Sequence, residues 1–125
     1  MKYLCLVYGE EPALQAMDDR HCVAFDEEVR RSGHCVASEA LQPVATATTV
    51  RVRNGKVSVT DGPFAETKEI LAGFYMIEAR DLNEAIQIAS RIPPAQVGSV
   101  EVRPIRPIRE TVRAALHEEA SHGVR

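Results

Sequence analysis

Residues 48–60 read TTVRVRNGKVSVT, and this stretch decides how the rest of the chain is to be folded. Asn54-Gly55 supplies the two positive-φ residues of a type I′ turn, so the flanking arms return on each other as a β-hairpin. The turn sets the register: Arg53 faces Lys56, Val52 faces Val57, Val50 faces Val59 and Thr49 faces Thr60. Side chains alternate along a strand, so the four valines share one face, with the threonines, Ser58 and the charges on the other.

Upstream of the hairpin, residues 2–8 (KYLCLVY) form a nearly continuous apolar run ended by Gly9, the pattern of a strand covered on both faces. The region around Pro12 reads as a connector. From Asp18 the period becomes helical, with Cys22, Phe25 and Val29 three and four apart and charged residues around the remaining circumference. Asp18 or Asp19 is the expected N-cap and Gly33 the residue that ends the helix, while Arg30-Arg31 complements its dipole. A short apolar piece (HCVAS) follows. Downstream, residues 73–79 (GFYMIEA) form a strand that runs into Asp81-Leu82-Asn83-Glu84, a capping box. Leu82, Ala85, Ile86, Ala89 and Ile92 give the expected apolar stripe of the next helix, stopped by Pro93-Pro94. A last strand, SVEVRPI, carries Pro104, which suits a sheet edge.

Two βα units therefore flank the hairpin. The predicted fold class is α+β: a ferredoxin-like antiparallel sheet with two helices on one face and an extra hairpin. This leaves the other sheet face, with alternate members of YLCLVY and FYMI, open to water. A bare apolar face of that size marks an interface, so a homodimer is expected to cover it, closing two sheets into a barrel. Residues 1–105 form the expected domain. Residues 106–125, with Ile108, Val112, Ala115 and Leu116 at loose helical spacing, are an extension that is either a docked helix or a frayed tail.

The totals bound the function. At 125 residues the chain has the length of one domain. With 15 Lys and Arg against 18 Asp and Glu, the formal charge is −3, which argues against nucleic acid as a partner because phosphate binding needs a basic face. The absence of Trp and the presence of only 3 Tyr and 3 Phe argue against a base-stacking platform. No run approaches the ~18 apolar residues of a membrane span. The start, MKYLCLVYGEE, lacks the long apolar region and cleavage site of a secretory signal, and Cys5, Cys22 and Cys35 have no framework spacing; a cytoplasmic location with reduced thiols is expected.

Candidate chemistry centres on Asp61-Gly62-Pro63-Phe64, just after the hairpin. Asp-Gly-Pro is turn chemistry, which makes Phe64 a core plug on one reading. On the other, the turn holds the Asp61 carboxylate at a pocket mouth walled by Phe64 and edged by Glu66 and Lys68. A carboxylate against an aromatic wall loses solvation, its pKa rises, and it serves as acid or base. His21, in the first turn of the first long helix, is the candidate partner that Asp61 would orient, with the Tyr8 phenol as a further contributor. Arg51 or Lys68 would orient a small anionic substrate. His21-Cys22 and His34-Cys35 lack the spacing of a zinc site, since adjacent helical residues point about 100° apart, so no metal is expected. There is no nucleophile elbow, P-loop or dinucleotide fingerprint, and no cofactor is required.

Three segments, MKYLCLVYGEE, LQPVATATTVRVRNGKVSVTDGPFAETKE and AQVGSVEVRPI, resemble the DGPF family of small bacterial proteins within the YCII-related superfamily. The likeness spans residues 1–105 and implies a ferredoxin-like fold assembled as a dimeric α/β barrel. It also implies a His–Asp pair at the active site, and lyase chemistry in at least one branch of the superfamily. The superfamily's histidine sits in an R-x-x-H setting, whereas here Arg20 and His21 are adjacent; Asp61 fits the DGPF motif itself. DGPF proteins are also similar to segments found with extracytoplasmic-function sigma factors, which implies a second reading: a non-catalytic ligand-binding or regulatory protein with a sigma-factor partner.

Overall fold

The computed structural model describes residues 1–123. Chain order is β1 (Lys2–Gly9), α1 (Glu11–Gln15), α2 (Asp19–Arg31), β2 (Cys35–Ala40), β3 (Thr48–Arg53), β4 (Lys56–Asp61), β5 (Ile70–Glu78), α3 (Leu82–Ala89), β6 (Ser99–Pro104) and α4 (Ile108–Gly123). Four strands make one antiparallel sheet in the order β2-β5-β1-β6, while β3 and β4 pair only with each other. This is the ferredoxin-like order, with the hairpin inserted between its second and third strands.

The hairpin takes the register its turn dictates, Val52 opposite Val57 and Val50 opposite Val59, with φ of 53° at Asn54 and 75° at Gly55. Helix α2 is capped by Asp18, whose carboxylate accepts from the Arg20 amide at 2.9 Å, and Gly33 follows its end at φ 82°. In α3 the Asp81 carboxylate accepts from the Glu84 amide at 2.9 Å, and the Glu84 carboxylate accepts from the Arg80 amide at 2.9 Å. The connector around Pro12 holds one short helix, α1, with Pro12 in its first turn, where a missing N–H costs nothing.

The core lies between the sheet and helices α2 and α3. Tyr3, Cys5 and Val7 of β1 and Ile77 of β5 meet Phe25 and Val29 of α2 and Ala85, Ile88 and Ala89 of α3, with Ile92 beyond α3. The buried side of α3 differs from the expected stripe. Ile88 is buried, while Leu82 and Ile86 remain about half exposed, because the short helix rolls its small residues onto the sheet. Strand β1 is also not covered on both faces. On its second face Leu4 pairs with Met76, Leu6 with Phe74 and Tyr8 with Leu71, and no helix of the described residues packs there.

Both sheet edges are modified. Strand β2 breaks register between Cys35 and Ala37, and β6 ends at Pro104. Helix α4 is solvent-exposed from Ile108 to Ser121. No helix of the described residues is long and apolar enough to cross a membrane.

Candidate small-molecule site

Strand β4 ends at Asp61, which pairs with Thr48. The chain then reverses through Gly62 at φ 104°, a conformation that side-chain-bearing residues rarely adopt. Three contacts pin this turn to β3 and the residue before it. The Gly62 amide donates to the Ala47 carbonyl at 2.7 Å, the Thr49 hydroxyl donates to the Gly62 carbonyl at 2.8 Å, and the Arg51 guanidinium reaches the Phe64 carbonyl at 3.5 Å. The turn thus hangs over the end of the sheet's open face and encloses a groove of about 1100 Å³.

The groove is lined by Tyr8 and Leu71 from the sheet, Thr49 and Val50 from the hairpin, and Phe64 from the turn. Phe64 is 81% exposed, so it is a wall of the groove and not a core plug. The charged lining consists of Glu69 and Glu101, with no Lys or Arg. Glu69 is held by the Ser99 hydroxyl, which donates to it at 2.8 Å. Arg103 pairs with Glu101 at 3.7 Å from outside the lining, which leaves Glu69 as the lining carboxylate without a cationic partner among the described residues and the groove unfavourable to anions. Sequence reasoning did not single out Glu69 or Glu101. The first lies in a run that reads as solvated, and the second is an outward position of an ordinary alternating strand.

The other expected site residues fall outside the groove. Asp61 is exposed, and its carboxylate makes no hydrogen bond among the described residues. His21 is exposed on α2, the helix that packs on the opposite side of the sheet. Within one chain, no hydrogen bond or ion pair among the described residues joins Asp61 to His21 or Tyr8. Lys68 pairs with Glu10 at 3.3 Å and lines a neighbouring depression together with Glu66. Arg51 is committed to the Phe64 carbonyl. Among the described residues, no group of three or more His, Cys, Asp and Glu side chains could hold a metal ion.

The YCII-related domain family model matches residues 1–109. The chain belongs to that family. An uncharacterised protein of Rhizobium meliloti (strain 1021) is 36% identical over 114 residues, covering 84% of this chain and 92% of the relative. Among solved structures, this YCII-related chain is similar to the 5-chloro-2-hydroxyhydroquinone dehydrochlorinase of Burkholderia phenoliruptrix AC1100, solved in complex with 2,5-dihydroxybenzoquinone. The TM-score is 0.52 at 14% identity, with 85% of this chain and 94% of that one covered. At that identity the likeness speaks for the ferredoxin-like fold. The match ends two residues into helix α4, which is exposed from Ile108 to Ser121.

Proposed function

We propose that this YCII-related protein binds a small, uncharged, largely apolar organic molecule in the groove beneath the Asp61–Phe64 turn, and that it does so as a homodimer. The observation that carries the reading is the groove's lining: apolar and hydroxyl side chains around two carboxylates, with no basic residue. Pockets of this size commonly hold metabolites, with a few polar groups fixing orientation. The dimer is supported by the two uncovered apolar surfaces, the open sheet face and the valine face of the hairpin.

A second reading, lyase-type proton transfer, is favoured by the fold shared with a dehydrochlorinase. Within one chain the acid–base groups at the groove are Tyr8, Glu69 and Glu101. Asp61 and His21 would take part only if a second copy brought them to it.

The test is a thermal-shift screen of uncharged aromatic alcohols and ketones, with the matching aromatic carboxylates alongside, against wild type and Leu71→Trp. Leu71 is 39% exposed at the groove, so a larger side chain there fills the space without invading the core. A ligand at about a hundred times its Kd stabilises by ~2.7 kcal/mol, a rise of about 10 °C for a domain of this size. A hit lost in Leu71→Trp supports the groove. Hits confined to anions, or unchanged in Leu71→Trp, overturn it. Conversion of the hit favours catalysis, with Tyr8→Phe and Asp61→Asn then separating the two acid–base assignments.

A further inference from the structure

On the helix side of the sheet a second cleft, of about 300 Å³, opens between α2 and strands β2 and β5, and it shares no lining residue with the groove. Val7, Val23, Pro94 and the bare backbone of Gly73 give it apolar walls. One corner is polar and internally locked. Arg30 donates through Nε to Asp26 Oδ2 at 2.8 Å and through an Nη to Ser38 Oγ at 2.9 Å, and the Ser38 hydroxyl donates to Asp26 Oδ1. Hydrogen bonds from Ser38 and then Arg30 hold the Asp26 carboxyl below the usual range, so it remains ionised and its charge cancels that of Arg30.

Tyr75 completes this corner. Its ring packs on Phe25 with centroids 5.3 Å apart, and it lines the cleft near Cys22 and Asp26. Burial, reinforced by those neighbours, pushes the phenol up to about 12, so it stays a protonated donor. Among the described residues its hydroxyl has no hydrogen-bond acceptor, unlike the saturated Ser38. A half-buried phenol in this state gains from an oxygen that accepts its proton.

We infer that this cleft binds a small, uncharged ring carrying a carbonyl oxygen, with the Tyr75 hydroxyl as the donor that orients it. The volume is at the lower end of small-molecule pockets, which suits one ring and excludes a nucleotide. The Asp26–Arg30 pair cancels, and Glu39, which also lines the cleft, adds a carboxylate that repels an ionised acid. The Asp26–Ser38–Arg30 network also ties α2 to the edge strand β2, so its presence alone does not report a ligand; the Tyr75 hydroxyl ties nothing and opens to solvent, where a ligand oxygen would replace water.

The test uses the full chain and 4-fluoroacetophenone as probe, followed by 19F NMR titration, with 4-fluorobenzoate as the charged counterpart. The ketone is expected to bind saturably, to move the amide resonances of Cys22, Ser38 and Gly73, and to bind about tenfold more weakly to Tyr75→Phe. That variant keeps the ring and its contact with Phe25, so it folds, and circular dichroism and melting confirm this. The benzoate is expected not to bind. Equal affinity of wild type and Tyr75→Phe, absence of saturable ketone binding, preference for the benzoate, or amide changes gathered at Tyr8, Thr49 and Leu71 would each overturn the assignment. The last outcome would leave the groove reading intact, so the two sites fail separately.

Discussion

At Gly62 the backbone holds φ near 104° although a side chain there would meet nothing within 4 Å. The constraint is therefore conformational and not steric crowding. Gly62→Ala should lower stability by ~1–2 kcal/mol, the cost of a left-handed-region residue with a Cβ. The check is a urea midpoint shift without a change in slope; an unchanged midpoint would show that the turn relaxes freely. This glycine was legible in the sequence because Asp-Gly-Pro chemistry is local. Asp61 beside it was legible as a turn residue too, but its side-chain environment was not: the face of a strand's last residue depends on where the hairpin leans, which no local pattern records. The same limit hid Glu69 and Glu101, whose proximity comes from β5 and β6 lying on either side of β1.

The hairpin is the element most completely written in the sequence, down to each cross-strand pair, because a two-residue turn leaves one register. What the turn does not state is the direction of the arm. Val50, Val52, Val57 and Val59 are each 57–67% exposed, on a two-stranded ribbon that pairs with no other strand. Such a ribbon is marginal alone in water. Covering the remaining valine surface is worth ~1 kcal/mol per residue, or ~8 kcal/mol for two arms in a twofold dimer, before the cost of association is subtracted. The arms therefore support a dimer but need the sheet face as well. The double substitution Val52→Lys and Val57→Lys should shift the protein from dimer to monomer in light scattering while leaving the far-ultraviolet circular dichroism unchanged. A wild type that is already monomeric at micromolar concentration would remove the argument. Helix α3 illustrates the opposite case. Its cap was readable, but with eight residues and apolar side chains on several sides, packing against the sheet and not periodicity chose the buried face.

For the molecule as a whole, the order β2-β5-β1-β6 follows from two βα units that pack their helices on one face, and that alternation was visible along the chain. The covered face also sets the response to pH. Burial pushes the Cys5 thiol from 9.0 up to about 11 and the Tyr75 phenol from 10.0 up to about 12. Both groups ionise first in the unfolded chain, so the stability they report is intact below about pH 9 and is lost as pH rises from 9 towards 12. Asp26 acts in the other direction: its lowered carboxyl contributes above the ordinary value of 3.8, and that contribution disappears as pH falls through its folded value. Urea unfolding across this range should show a plateau with both shoulders, and Cys5→Ala should delay the alkaline decline; a flat profile between pH 9 and 12 would contradict the burial of both groups.

The two modified edges of the sheet have a further consequence for aggregation. Pro104 cannot donate to an incoming strand, and the register break in β2 spoils a regular ladder on the other side. Open-ended strand addition, the route to fibrils, is blunted at both ends, even though the sheet's uncovered apolar face is the stickier surface.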